Sequence, residues 1–188
     1  MIARLGRWMA VAGLAAALTG GSPAGARTII LDGRDDDWAG VEPAWRAGER
    51  VDGIIGLKAV AITHDADAVY LRLEMAQARA LQELPGSLEI RLDLDNDATT
   101  GPAWAGMGVD LAYLCSPIRD GSPQAGEAAA VYRGQSSKTL PREAVGMVHA
   151  PTYADRFQEL ALPREALRRL GLASTTLTVG MAVLDETG

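Results

Sequence analysis

The sequence is short of the residues that most often carry chemistry. Of its 188 residues one is cysteine and two are histidine. A lone cysteine excludes an intrachain disulfide, so stability has to come from a core, with or without a metal. Cys115 sits in the apolar stretch Val109-Asp110-Leu111-Ala112-Tyr113-Leu114-Cys115, which predicts a buried structural thiol rather than a reactive one. His64 and His149 have no motif partner, and there is no zinc-type Cys/His cluster or glycine-rich phosphate loop. Ser116, Ser136 and Ser137 lack the context of a nucleophile elbow. Acids are plentiful, but no pair is singled out as a hydrolase would need. A noncatalytic protein is therefore expected. Basic residues are also in deficit, with 18 Lys and Arg against 24 Asp and Glu for a net charge of −6. Such a surface argues against nucleic acid and anionic lipid, and is compatible with divalent cations and neutral ligands. Long apolar runs are missing too. The longest useful one, Trp8 to Leu18, is about half of the roughly 20 residues that a membrane-crossing helix needs.

That run nevertheless has a setting. Arg4 and Arg7 precede it, and Ser22-Pro23-Ala24-Gly25-Ala26 follows it before Arg27. A positive start, an apolar middle and an Ala-x-Ala stretch predict a secretory signal peptide over 1–26, and hence a periplasmic or extracellular location. Membrane insertion after cleavage is not expected. Removing Arg4 and Arg7 and no acid takes the formal charge from −6 to −8. The remainder, 27–188, suits a single domain. Its end at Asp185-Glu186-Thr187-Gly188 comes straight after a strand-like run, which raises the expectation of a domain truncated at its C-terminus.

Period-two patterning dominates what is left. Thr28 to Leu31 reads as a first strand entering the loop Arg34 to Gly40. Leu57 to Ile62 and Val69 to Met75 read as a hairpin turning at His64-Asp65-Ala66-Asp67. Gln77 to Leu84 reads as a short helix or irregular crossover. Ser87 to Asp95 has the cleanest alternation in the chain. Val109 to Leu114, Ala128 to Tyr132, Gly146 to His149, Arg156 to Leu162 and Thr176 to Leu184 supply further strands. Pro163 to Gly171 is the one good helix, with proline first, arginines last and glycine beyond. Many short strands at about ten-residue spacing predict an all-β fold, an antiparallel two-sheet sandwich.

The strongest polar signal is Asp93-Leu94-Asp95-Asn96-Asp97, with Gly101 and Gly108-Val109-Asp110 after it. Alternation puts Asp93 and Asp95 on one face at a strand end, Asn96 and Asp97 begin a loop that can fold back, and Asp110 is a further candidate ligand. Converging carboxylates repel unless a cation sits among them, and hard oxygen ligands suit calcium. The alternative is a solvated acidic turn. It is not an EF-hand, since Ala98 stands where that loop needs glycine. Asp35-Asp36-Asp37 reads as a solvated loop or cap. Arg156 and Glu159 read as a structural ion pair, with each other or with Arg91. Trp38 and Tyr70 read as core. Trp45 and Trp104 lie in Gly/Pro-containing loops and are either sugar-stacking platforms or packing anchors.

Taken in order, Leu31-Asp32-Gly33, Asp37-Trp38, His64-Asp65-Ala66-Asp67, Val69-Tyr70-Leu71-Arg72-Leu73, Asp93-Leu94-Asp95-Asn96-Asp97, Gly108-Val109-Asp110-Leu111 and Arg156-Phe157-Gln158-Glu159-Leu160-Ala161-Leu162-Pro163 resemble the family 9 carbohydrate-binding modules and the wider DOMON-like sandwiches. The resemblance covers nearly all of 27–188. It implies a jelly-roll-like sandwich that binds a neutral glycan without catalysis, with structural calcium in acidic loops and a tryptophan clamp onto which Trp45 and Trp104 fall by position. The alternative is an envelope structural or protein-interaction sandwich that has no sugar site.

Overall fold

The computed structural model describes residues 9–17, 29–47, 54–173 and 176–184. In chain order the strands are β1 (Met9–Ala17), β2 (Trp45–Arg46), β3 (Leu57–His64), β4 (Ala68–Arg79), β5 (Ser87–Asp93), β6 (Ala103–Trp104), β7 (Met107–Gly108), β8 (Leu111–Cys115), β9 (Ile118–Arg119), β10 (Ser122–Pro123), β11 (Glu127–Arg133), β12 (Ser136–Pro141), β13 (Val148–Ala150), β14 (Asp155–Pro163) and β15 (Thr176–Leu184). One sheet runs β1-β15-β5-β8-β11-β12 and the other β13-β14-β4-β3-β2, with β6–β7 and β9–β10 as small ribbons. Every pairing is antiparallel. The fold is the all-β sandwich that the patterning predicts.

Alternation explains the layers. Leu88, Ile90 and Leu92 of β5 enter the interior, while Glu89 and Arg91 point away from it. Leu71 and Leu73 of β4 and Leu160 and Leu162 of β14 meet them from the other sheet, in the cluster that also takes Leu177, Val179 and Met181 of β15. Each such side chain contributes roughly 1.5–3 kcal/mol through burial. The β3–β4 hairpin closes where expected. Asp65 accepts the backbone N–H groups of Asp67 and Ala68 at 2.8 Å, and the Tyr70 hydroxyl donates to its second oxygen at 2.9 Å. The helix α1 (Arg164–Leu170) follows β14 directly and ends at Gly171.

Several expectations are corrected. Residues 29–31 form no strand. The edge beside β3 is taken by β2, and Ile29 instead packs with Trp38, Ala61 and Tyr70 on the far face of that sheet. Thr28 lies outside the described residues. The stretch from Gln77 is split: β4 continues to Arg79, and only Leu81–Glu83 form a short 3₁₀ helix in the crossover that follows. Strand β12 went unread because its residues are nearly all exposed; its ladder to β11 and the half-buried Leu140 hold it. Alternation carries no signal where neither face is buried.

Strand β1 falls within the apolar run read as the core of a signal peptide. It pairs with β15 from Met9↔Val183 to Ala17↔Thr176. An uncharged apolar segment of this length suits a sheet edge and a leader alike. The expected cleavage stretch, 22–26, and the end of the chain, 185–188, lie outside the described residues. Among the described residues no helix is long and apolar enough to cross a membrane. A chain that begins at Arg27 is expected to leave one edge of β15 unpaired. Peptides covering Thr176–Leu184 should then exchange amide hydrogen faster than in the full chain, while Ser87–Asp93 stays protected. Equal exchange in both chains would contradict the β1–β15 pairing.

Candidate metal centre

The end of β5 is where the alternation forces a charge inward. Leu92 and Leu94 both belong to the interior cluster, so Asp93 between them turns to the opposite face, where the returning chain covers it to 3% exposure. Asp110, just ahead of β8, is threaded between strands. Its backbone N–H donates to Leu92 O at 2.9 Å, its backbone carbonyl accepts from Tyr132 N–H at 2.8 Å, and its carboxylate accepts from Leu94 N–H at 2.8 Å.

The loop between them is tightly folded on itself. Asp95 accepts from the Asp97 backbone N–H and the Thr100 hydroxyl, both at 3.0 Å. The bend at Gly101 has φ +65°, and a Cβ there would sit 2.0 Å from Val109 O. At Gly108 a Cβ would sit 2.0 Å from Thr100 O and 2.5 Å from Asp97 O. Glycine at these two positions is what lets the loop return to Asp93.

Ligand atoms of Asp93, Asp95 and Asp110 all lie within 4.8 Å of one another. Asp93 Oδ2 accepts a long 3.3 Å bond from Gly108 N–H, and the buried Oδ1 has no hydrogen-bond partner. Among the described residues no ion pair reaches any of the three. Burial raises the Asp93 carboxyl above its ordinary range; the N–H groups of Gly108 and Asn96 oppose this, and the charges of Asp110 and Asp95 add to it. Burial likewise raises Asp110, against the Leu94 N–H and with the charge of Asp95. An orphaned buried oxygen beside two more carboxylates fits a hard divalent cation such as calcium, which takes six to eight oxygens and would complete its shell with backbone carbonyls or water. The fourth expected ligand, Asp97, is not drawn into the group. Its carboxylate accepts from the Thr99 N–H and hydroxyl at 2.9 and 2.7 Å, and these bonds hold it below the usual carboxylate range.

The two tryptophans do not face each other. Trp45, on the edge strand β2, packs against the interior cluster. Trp104, on β6, lies on the outer face of the other sheet, with the Arg91 guanidinium 4.7 Å from its ring centroid and Gly180 beneath it, where a Cβ would be 2.3 Å from the ring. Trp38 and Tyr70 are buried as expected, and so is Cys115. The expected Arg156–Glu159 pair is corrected. Arg156 reaches Glu74 at 3.7 Å, and Arg91 pairs with Glu89 at 2.6 Å. Glu159 is fully buried; it accepts the Trp38 indole N–H at 2.5 Å and the N–H groups of Asp32 and Gly33 at 2.9 and 2.7 Å. Glu159 thus pins the Asp32–Trp38 loop to β14. A second buried group, Glu127 with His149 and Gln158, was equally unread, because its members are brought together only by the sheets.

The raised carboxyls fix a sign. In metal-free protein the folded state holds the Asp93 and Asp110 protons more tightly than the unfolded chain does. Their favourable contribution is full below about pH 4 and is lost as pH rises through the raised values. In EDTA, the double variant Asp93→Asn/Asp110→Asn is therefore expected to melt above the wild type at about pH 7, with the gap closing toward about pH 4. A gap independent of pH would contradict the crowding of these acids. No protein-family model, curated protein or solved structure matches this chain, so its functional reading rests on the chain's own residues.

Proposed function

We propose that the protein is an exported, noncatalytic β-sandwich whose loop between β5 and β8 is stabilised by one calcium ion held by Asp93, Asp95 and Asp110, and which serves as an interaction module of the cell envelope. The observation that carries this reading is the Asp93 oxygen, buried and without a partner beside two other carboxylates. A bound cation supplies the positive charge that such a group lacks and links metal binding to folding. The other buried acids are engaged in structure, Glu159 with Trp38 and Glu127 with His149 and Arg142, which supports a role without catalysis. The leader-like start at Arg4 and Arg7 supports export.

A second reading keeps the carbohydrate ligand that the resemblance implies, met by Trp104 alone instead of by a clamp. It is favoured by the half-exposed Trp104 ring on the outer face of its sheet, in one cluster with Tyr132 and Leu114. Such a ring presents an apolar surface to the C–H face of a sugar. Trp45 is left to packing in either reading.

Thermal unfolding in EDTA, in calcium, and in calcium with a panel of soluble neutral glycans separates the two. Saturating calcium is expected to raise the melting temperature by roughly 5–10 °C, and Asp93→Asn/Asp110→Asn should abolish the rise. A further rise with one glycan, lost in Trp104→Ala, would select the carbohydrate reading. Absence of any calcium shift would sink the metal-centred proposal.

A further inference from the structure

At the opposite side of β11 from its turn into β12, three polar side chains are buried between the sheets. Glu127 opens β11 in one sheet, while His149 of β13 and Gln158 of β14 belong to the other. The His149 side chain is fully buried, and Glu127 is 6% exposed. Glu127 Oε1 lies 2.7 Å from His149 Nδ1, an ion-pair distance without the alignment of a regular hydrogen bond. Glu127 Oε2 accepts from Arg142 at 2.6 Å. On the far side of the ring, His149 Nε2 is 2.7 Å from Gln158 Oε1.

The proton count follows from Gln158. Its amide nitrogen donates to the backbone carbonyls of Arg79 and Tyr153 at 2.7 and 3.1 Å. Turning the amide over would set its oxygen against two carbonyl oxygens, so the orientation is fixed and Oε1 faces the ring. His149 Nε2 must then be the donor. A neutral imidazole so protonated leaves Nδ1 bare, with a carboxylate oxygen 2.7 Å from it. An electron-rich nitrogen and a carboxylate at that distance in a buried site repel; a proton on Nδ1 makes the ring a cation and turns the contact into an ion pair.

We propose that the Glu127–His149 pair holds a buried proton and acts as a pH-dependent latch between the two sheets, closed while the proton is present and released when it is lost. The other groups facing the pair leave it as the one that responds. Burial pushes the Tyr113 hydroxyl up, and burial with the charge of Glu127 does the same to the Cys115 thiol. Arg142, bonded to Glu143 and Glu127, is raised despite its burial and stays charged. For Glu127, burial acts upward, but His149, Arg142 and Tyr113 outweigh it and hold the carboxyl below its usual range. The signs are opposite at the two ends. Stability from the Glu127 carboxylate is present above its unfolded value of about 4.3 and is lost as pH falls through the lowered folded value. Stability from the shared proton is present at low pH and is lost as pH rises far enough to remove it. What opens is β13, a three-residue edge strand tied to β14 through Val148↔Ala161, His149↔Leu160 and Ala150↔Glu159.

The test uses full-length chain carrying His64→Gln, which leaves His149 as the only histidine. Nitrogen-15 NMR of the ring at about pH 6 is expected to find Nδ1 and Nε2 both protonated. A bare Nδ1 beside an ionised Glu127 would overturn the proposal without recourse to any further variant. In urea, the unfolding constant is expected to be larger at about pH 9 than at about pH 6. In Glu127→Gln the neutral amide can donate to Nδ1 and still accept from Arg142, so this rise should flatten. Parallel pH profiles for the two chains would also overturn it.

Discussion

A carboxylate oxygen with no hydrogen-bond partner, Asp93 Oδ1, sits under the loop that carries most of this protein's unusual geometry. Its position is not a free choice. The flanking leucines, 92 and 94, are both core residues, and in an extended chain the residue between them has to face the other way. The loop that returns along this face needs glycine at 101 and 108, buries Asp110 between β5 and β11, and lays Trp104 against Arg91 and Gly180. A buried ionised carboxylate without compensation is costly, and two further carboxylates beside it raise that cost. In the proposed reading, a cation at this point would turn the same three charges into the fastening of the loop.

The layers were legible because the sandwich has a largely apolar interior. Ser87–Asp93, Asp155–Pro163 and Thr176–Leu184 each turn alternate side chains into that interior, and the middles of the last two are covered on their other face as well. The signature failed where burial is absent or is supplied from outside the sheet. Strand β12 buries little beyond part of Leu140, and Ile29 is covered by a cluster that includes Trp38 and Tyr70. Three of the four expected metal ligands converge. The fourth, Asp97, is diverted by Thr99, two residues on, a local competition that spacing alone does not reveal.

The partners of Glu159 and Glu127 were illegible in the sequence for a shared reason. Glu159 and Glu127 sit on strands facing segments that are distant in sequence, 126 residues away for the Gly33 N–H that Glu159 accepts. No short motif can announce such a partner. The same holds for Gln158, whose hold on two carbonyls fixes the state of His149. The aromatic residues divide in a similar way. Trp38 and Trp45 help close one sheet, whereas Trp104 lies across the outside of the other and is the half-exposed ring beside the acidic loop.

Calorimetric titration of calcium into EDTA-stripped protein tests the account's central claim most directly. The account expects one saturable site that is lost in Asp110→Asn and kept in Asp97→Asn. Absence of binding, or loss with Asp97→Asn while Asp110→Asn still binds, would contradict it.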